Sequence, residues 1–304
     1  MTRFHIGMPG RGFLGWLALS ALLAPASWGQ TEVTFHLVPE ELWNGGLPSP
    51  ADFLPSGKIF LYRAGSYVPE LVAEANKPQV VTPGTWLWIA EAGDYVSAVS
   101  GKIHYPEGAE RFDRNLIDPV VPACKIDLGE ARDWRGVARL DAVSLDRRAV
   151  YPVIVEDRRR FLVPEGRFLA YTMDSRGVTA ISRVASCRTG ETVELSRPEP
   201  PAAEHQDLMV SVQMPEGMAD EGEELSAVLT PFDSSSPPAP QPPTAALRTL
   251  YRATFFFLDA SAREPLVLEI RHPEFLTHRQ ELSPLPGGVR ELPDVVLKPR
   301  VSSP

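Results

Sequence analysis

Thirty-one prolines are spread along this 304-residue chain, from Pro9 to Pro304, and they limit what it can fold into. A proline inside a helix removes a hydrogen bond and clashes with the preceding turn, and in a central strand it cannot donate. Spread this evenly, prolines leave room for short strands and turns and little for helices. The apolar runs agree. VTFHLV (33–38), KIFLYR (58–63), TWLWIA (85–90), YPVIVE (151–156), RFLAYT (167–172), MVSVQM (209–214), ATFFFL (253–258) and LVLEIR (266–271) are rich in β-branched and aromatic residues. Gly, Pro and Asp bound them. This spacing predicts an all-β chain of antiparallel β-sandwich modules rather than βαβ units.

The N-terminal residues 1–29 have a different character. Arg3 and Arg11 give a positive start, Phe13 to Ala26 is apolar, and small residues allow cleavage after Ala26 or Gly29. The apolar run is shorter than the roughly 20 residues a membrane span needs. It reads as a secretory signal peptide, which places the mature protein in the periplasm or outside the cell. The competing reading is an uncleaved membrane anchor. No cysteine at the cleavage point signals a lipid anchor, and no later segment is apolar enough for a stable span. Removing residues 1–29 moves the formal net charge from −9 to −11. A chain this acidic repels phosphate backbones and anionic lipid, which argues against nucleic acid as a partner.

Two cysteines, Cys124 and Cys187, remain. In an oxidising compartment an even number predicts a disulfide, with two separate buried thiols as the alternative.

The chain also echoes itself. Residues 81–100 (VTPGTWLWIAEAGDYVSAVS) align without a gap on 163–182 (VPEGRFLAYTMDSRGVTAIS), at an offset of 82, with six of twenty positions identical. Trp86 falls on Phe168 and Leu87 on Leu169. Upstream, IFLY (59–62) can be set against AVSL (142–145). Downstream, PACKIDLGE (122–130) resembles ASCRTGETVEL (185–195), so each copy ends near its cysteine. The order of matches predicts a repeated sandwich module. A third stretch, 253–299, has the same style, with a strand, a turn, a second strand, a His-Pro-Glu-Phe corner and a closing Asp294-Val295-Val296-Leu297.

Pro83-Gly84-Thr85-Trp86 and Gly93-Asp94-Tyr95 in the first module, Glu165-Gly166-Arg167-Phe168 in the second, and His272-Pro273-Glu274-Phe275 with Pro286-Gly287-Gly288 in the third carry a family likeness. The chain resembles the carboxypeptidase-regulatory-like domains of exported bacterial proteins, which have a transthyretin-like fold. The second module lacks the corner tyrosine, and the third lacks the Gly-Tyr pair. The resemblance implies two or three tandem Ig-like or transthyretin-like sandwiches. It also implies a non-catalytic attachment, binding or structural role.

Composition sets the expected boundaries: module one over 31–130, module two over 131–198, a proline-stiffened linker at 197–205, and module three over 206–300. Module three contains the Pro-rich loop 234–244, which alternatively is itself a linker.

Catalytic motifs are missing. His36, His104, His205, His272 and His278 form neither His-x-x-x-His nor His-Glu-x-x-His, so no metal site is signalled. There is no Gly-x-Ser-x-Gly elbow, no Ser-x-x-Lys motif and no glycine-rich phosphate loop, so neither a cofactor nor a catalytic residue is predicted. Asp220-Glu221-Gly222-Glu223-Glu224 lacks the alternation of a calcium loop and reads as a solvated turn. Arg147-Arg148 and Arg158-Arg159-Arg160 flank one strand and sit at its two ends, so they do not form one pocket.

The sharpest candidate is the pair Trp86 and Trp88, two residues apart and therefore on one strand face. Trp88 falls on Ala170 in the second copy, so the shared fold does not demand a tryptophan there. Three uses fit: a core layer, a contact between modules, or a ligand platform with Tyr95 on which sugar rings stack. The expected function is then an exported, non-catalytic structural or protein-binding protein, with an unidentified protein partner. A carbohydrate-binding accessory protein, with a polysaccharide ligand on Trp86 and Trp88, is the alternative. A hydrolase with a composite site stands behind both.

Overall fold

A computed structural model describes residues 31–43, 48–63, 66, 68–98, 101–105, 113–147, 149–154, 159–213, 225–232, 240–248 and 252–300. The predicted signal peptide, the acidic turn at 220–224, Arg148, Arg158 and the Pro-rich residues 234–239 lie outside the described residues. The described chain is all-β and folds as β-sandwiches. It contains no α-helix, only three single 3-10 turns.

In the N-terminal part, the strands are β1 (Thr31–Pro39), β2 (Lys58–Arg63), β3 (Leu71–Glu74), β4 (Pro78–Val81), β5 (Gly84–Ala92), β6 (Tyr95–Ser97), β7 (Gly101–Tyr105) and β8 (Asp113–Asp127). The middle part adds β9 (Arg139–Ser144), β10 (Ala149–Ile154), β11 (Arg160–Pro164), β12 (Gly166–Asp174), β13 (Gly177–Ile181), β14 (Ala185–Cys187) and β15 (Thr192–Glu194). The C-terminal part holds β16 (His205–Gln213), β17 (Ser226–Pro231), β18 (Ala245–Arg248), β19 (Arg252–Ser261), β20 (Leu266–Arg271), β21 (His278–Leu282) and β22 (Val289–Val296). Six of the eight apolar runs named above lie wholly on one of these strands, and the described residues of YPVIVE and MVSVQM lie on β10 and β16.

One device recurs in all three parts. The first strand runs parallel to the last: β1 beside β8, β8 beside β15, and β16 beside β22. Strand β8 therefore closes the N-terminal part and opens the middle one. Its residues 113–120 pair with β1, 120–122 with β6, and 123–127 with β11. Two prolines sit near the hand-over. Each uses only its carbonyl: Pro119 accepts from the Ala98 N–H at 2.9 Å and Pro122 from the Glu165 N–H at 3.0 Å. A donor-free residue is tolerated where the ladder changes partner.

Burial follows strand alternation. Trp86, Trp88, Ala90 and Ala92 of β5 face a first core with Phe35, Leu37, Ile59 and Leu61. Ile89, on the opposite face, joins Val96, Ala98 and Val121 in a second core that is otherwise built from the middle part. The N-terminal and middle parts thus share both a strand and a core. A third core lies inside the C-terminal sandwich, around Phe255, Phe257 and Leu268. A fourth apolar cluster joins the middle sheet to the C-terminal one. Val143, Leu169 and Tyr171 pack there on Met209, Phe256 and Leu258.

The internal echo has a counterpart in three dimensions. The hairpin pair Ala92↔Tyr95 matches Asp174↔Gly177 at the same offset of 82, and both turns contain two residues. Gly84 and Gly166 open equivalent strands with φ of 127° and 114°, a region that L side chains rarely adopt. The upstream match needs correcting. Ile59 pairs with Ala90 and Leu140 with Thr172, so IFLY corresponds to LDAV (140–143) rather than AVSL. The two-residue slip preserves the strand faces, which is why either alignment reads sensibly in one dimension.

Candidate functional site: buried tryptophans and a cationic cleft

Trp86 and Trp88 do not form an open platform. They are 3% and 8% exposed and belong to the first core. Phe35 packs edge-on against Trp88, with ring centroids 5.5 Å apart. The Arg63 guanidinium lies 4.0 Å over the Trp86 ring, and the Trp86 indole donates to the Thr82 carbonyl at 2.9 Å. Arg63 is held in turn by the Pro83 carbonyl, the Thr82 hydroxyl and Glu70. The aromatic face is therefore closed, on one side by the core and at its edge by an arginine. Tyr95 packs against the same core from its rim and donates to the Glu41 carboxylate at 3.2 Å. The extra volume of Trp88 is matched across the ladder. Trp88 stands opposite Leu61, whereas the second copy sets Ala170 opposite Ala142.

Cys124 and Cys187 are bridged, with Cα atoms 6.1 Å apart, and no described cysteine is free. The bond ties β8 to β14, which joins the ends of the two echoing copies.

A buried acid lies at the seam between the N-terminal and middle parts. Asp118 is 3% exposed and accepts from the Ser97 hydroxyl at 2.6 Å. Ser97 Oγ itself accepts from the Ala90 N–H at 2.6 Å, and the Ser97 carbonyl accepts from the Tyr151 hydroxyl at 2.8 Å. The Trp88 indole N–H makes no hydrogen bond within 3.5 Å. It lies near enough to Asp118 to favour the charged carboxylate, as the Ser97 hydroxyl does. Burial outweighs both and pushes the Asp118 carboxyl up to about 6. Burial, then the charge on Asp118, raises the Tyr151 phenol. A second buried acid, Asp141, is forked by Arg139 and accepts from the Tyr171 hydroxyl at 2.9 Å. Burial again dominates and raises its carboxyl.

The described arginines of the two clusters have structural partners. Arg147 pairs with Glu40 at 2.7 Å, Arg159 donates to the carbonyls of Leu128 and Gly129, and Arg160 pairs with Asp127 at 2.7 Å. Four of the five histidines, His36, His104, His205 and His278, lie on strands, and His272 sits at a corner. His36 stacks on Phe53 at 4.4 Å, and His272 accepts from the Glu274 N–H at 3.2 Å. Among the described residues, no group of three or more His, Cys, Asp or Glu is placed to hold a metal ion.

An open cleft of about 820 Å³ lies at the junction of the N-terminal and middle parts. Lys58, Lys77, Lys125 and Arg160 line it, against Glu74 and Glu91. Ala92, Phe161 and Leu162 give it an apolar lining. The Glu91 carboxylate accepts from the Leu162 N–H at 3.2 Å, which joins the two parts across the cleft. Gly57 is required beside it, because a Cβ there would run into the Leu37 side chain and meet Ala92 at 3.0 Å. The composition held one signal for this site. Only five of the 30 basic residues are lysines, and three of those five line this cleft. Their positions come from separate elements, so no motif marks them.

No family model matches the chain. No curated protein matches it either. Among solved structures, the TIE protein of Bacillus anthracis aligns at 10% identity and a TM-score of 0.19, over 90% of this chain and 51% of that one. This chain thus spans about half the length of that protein. A three-Ig segment of titin, domains I67–I69 in an E-to-A mutated variant, aligns at 9% identity and a TM-score of 0.16, over 88% of this chain and 98% of that one. At such scores the description of the fold rests on the strand pairings above. The carboxypeptidase-regulatory-like resemblance gains no family match.

Proposed function

We propose that this is an exported, non-catalytic protein of three tandem β-sandwich modules that serves as a rigid structural or protein-binding scaffold. The observation that carries the reading is the pair of seams. Strand β8 belongs to two parts at once, and an apolar sheet-to-sheet contact joins the third. Modules joined by flexible linkers reorient freely, whereas a continuous apolar interface holds them in register. The junction cleft then presents a surface of constant shape. The disulfide supports an oxidising compartment and agrees with the signal-peptide reading of residues 1–29. No described helix is long and apolar enough to cross a membrane. The burial of both indoles supports a packing role for them over the sugar-platform alternative.

Paired spin labels at exposed Val72 and Leu276 test the rigidity. A single narrow distance distribution is expected, and a broad one overturns the scaffold reading. Expression with the native leader, followed by N-terminal sequencing and thiol labelling, tests export. Cleavage after Ala26 or Gly29 with no reactive thiol is expected. An intact leader with two free thiols overturns it.

A further inference from the structure

We propose that the cleft between the N-terminal and middle parts binds an extended acidic peptide segment of a partner protein, through carboxylates seated on Lys58, Lys77, Lys125 and Arg160. The proposal rests on the binding-scaffold reading and names the chemistry of its partner.

The cleft gathers basic side chains on an acidic chain. The whole chain carries a formal net charge of −9, while the four cations of the cleft are balanced by Glu74 and Glu91 in the lining and by Asp94 and Asp127 beside it. Its volume of about 820 Å³ falls in the range of ordinary ligand sites, and it lies at a junction between parts, where such sites concentrate. Three of its cations already hold a carboxylate. Lys77 pairs with Glu74, Lys125 with Asp94 at 3.2 Å, and Arg160 with Asp127 at 2.7 Å. These pairs are solvent-exposed, with side-chain exposure of 65% at Lys77, 48% at Lys125 and 77% at Arg160. Exposed pairs contribute little, so an incoming carboxylate exchanges for the resident one at small cost. Lys58, exposed at the start of β2, acts on Glu74 through its charge.

A peptide fits better than an acidic polysaccharide. Glycan sites use exposed aromatic faces, and the only aromatic residue lining this cleft is Phe161, which is 3% exposed. Lysine ammoniums are compact point charges that suit separate carboxylates along a flexible chain.

The test is fluorescence polarisation with a labelled hexaglutamate peptide and, in parallel, a labelled polyuronate oligomer, at low and physiological salt. The variants are Lys58→Glu/Lys77→Glu and the charge-matched Lys102→Glu/Lys298→Glu. Both of the latter lysines are exposed and lie outside the cleft. The expected result is peptide binding by the wild type and by the control. The cleft variant should lose about tenfold or more, with binding weaker at high salt. Equal loss in both variants would reduce the effect to bulk charge and overturn the site. Polyuronate binding as tight as the peptide's would make it a glycan site. Absence of peptide binding by the wild type overturns the cleft assignment, while the spin-label distances still judge the scaffold reading separately.

Discussion

Asp118→Asn separates the electrostatic cost of the buried seam acid from its packing. Asp118 is 3% exposed, and its carboxyl is pushed from 3.8 up to about 6 by burial, against the opposing effects of Ser97 and Trp88. A folded-state pKa above the unfolded one means that the native state keeps a proton the unfolded chain releases. Stability from this group is therefore complete below about pH 4 and is lost as pH rises through 6. A shift of about two units corresponds to about 3 kcal/mol between those limits. Asparagine keeps an oxygen to accept from the Ser97 hydroxyl and never ionises. Its new N–H donors cost about 1–3 kcal/mol if buried without a partner, and that cost does not vary with pH. The diagnostic is thus the difference between the two proteins, followed by urea denaturation from pH 4 to 7 with the disulfide intact. The variant should gain about 2.5 kcal/mol on the wild type across that interval, part of the full shift lying below pH 4. The lowered carboxyls of Asp127, Asp146 and Asp174 give the opposite slope, but they are common to both proteins and cancel. A difference that stays flat with pH would show that Asp118 titrates normally and that burial does not govern it.

Trp88→Ala should cost about 3–5 kcal/mol, because it removes a buried ring packed on Phe35, and it should leave mobility through polysaccharide gels unchanged. Sugar-dependent retardation lost with Trp88 at unaltered stability would return the residue to binding. Cys187→Ser opens a loop closed over a sequence separation of 63 and should lower stability by about 4 kcal/mol on the chain-entropy model, read from the shift in urea midpoint. A midpoint unchanged under reducing and oxidising conditions refutes the bridge's contribution. Gly166→Ala should cost about 1–3 kcal/mol, since φ is 114° and the added methyl runs into the Asp146 carboxylate; a melting temperature equal to wild type refutes it. Phe256→Ala empties the seam between the middle and C-terminal sheets, where Tyr171 meets it at 6.1 Å between ring centroids. Limited proteolysis should then cut faster within 197–205, and cleavage at the wild-type rate refutes the seam's role.

Local signals in this sequence specify strand faces well, because alternation is a property of neighbouring residues. KIFLYR and LVLEIR coincide with β2 and β20 residue for residue, and Trp86 and Trp88 do share a face. What covers that face comes from far along the chain. Phe35 lies some fifty residues earlier, and Arg63 reaches over from the partner strand, so no window around Trp88 could distinguish a core layer from a platform. Strand β8 stayed hidden for a related reason. Its prolines at 119 and 122 and its buried Asp118 argue against a central strand when each residue is judged alone. They make sense only once four different partners are placed along it. The prolines occupy the hand-over, where a missing donor costs little, and the acid lies where the N-terminal sheet meets Tyr151 of the middle part. The cleft is legible only at that same level. Its cations sit on β2, on the turn after β3, on β8 and on β11, and they converge because β8 ties the N-terminal and middle parts together. The strand that joins the two parts is therefore also the one that assembles this charged surface, and a change that loosened the β8 seam would disperse the lysines without touching any of them.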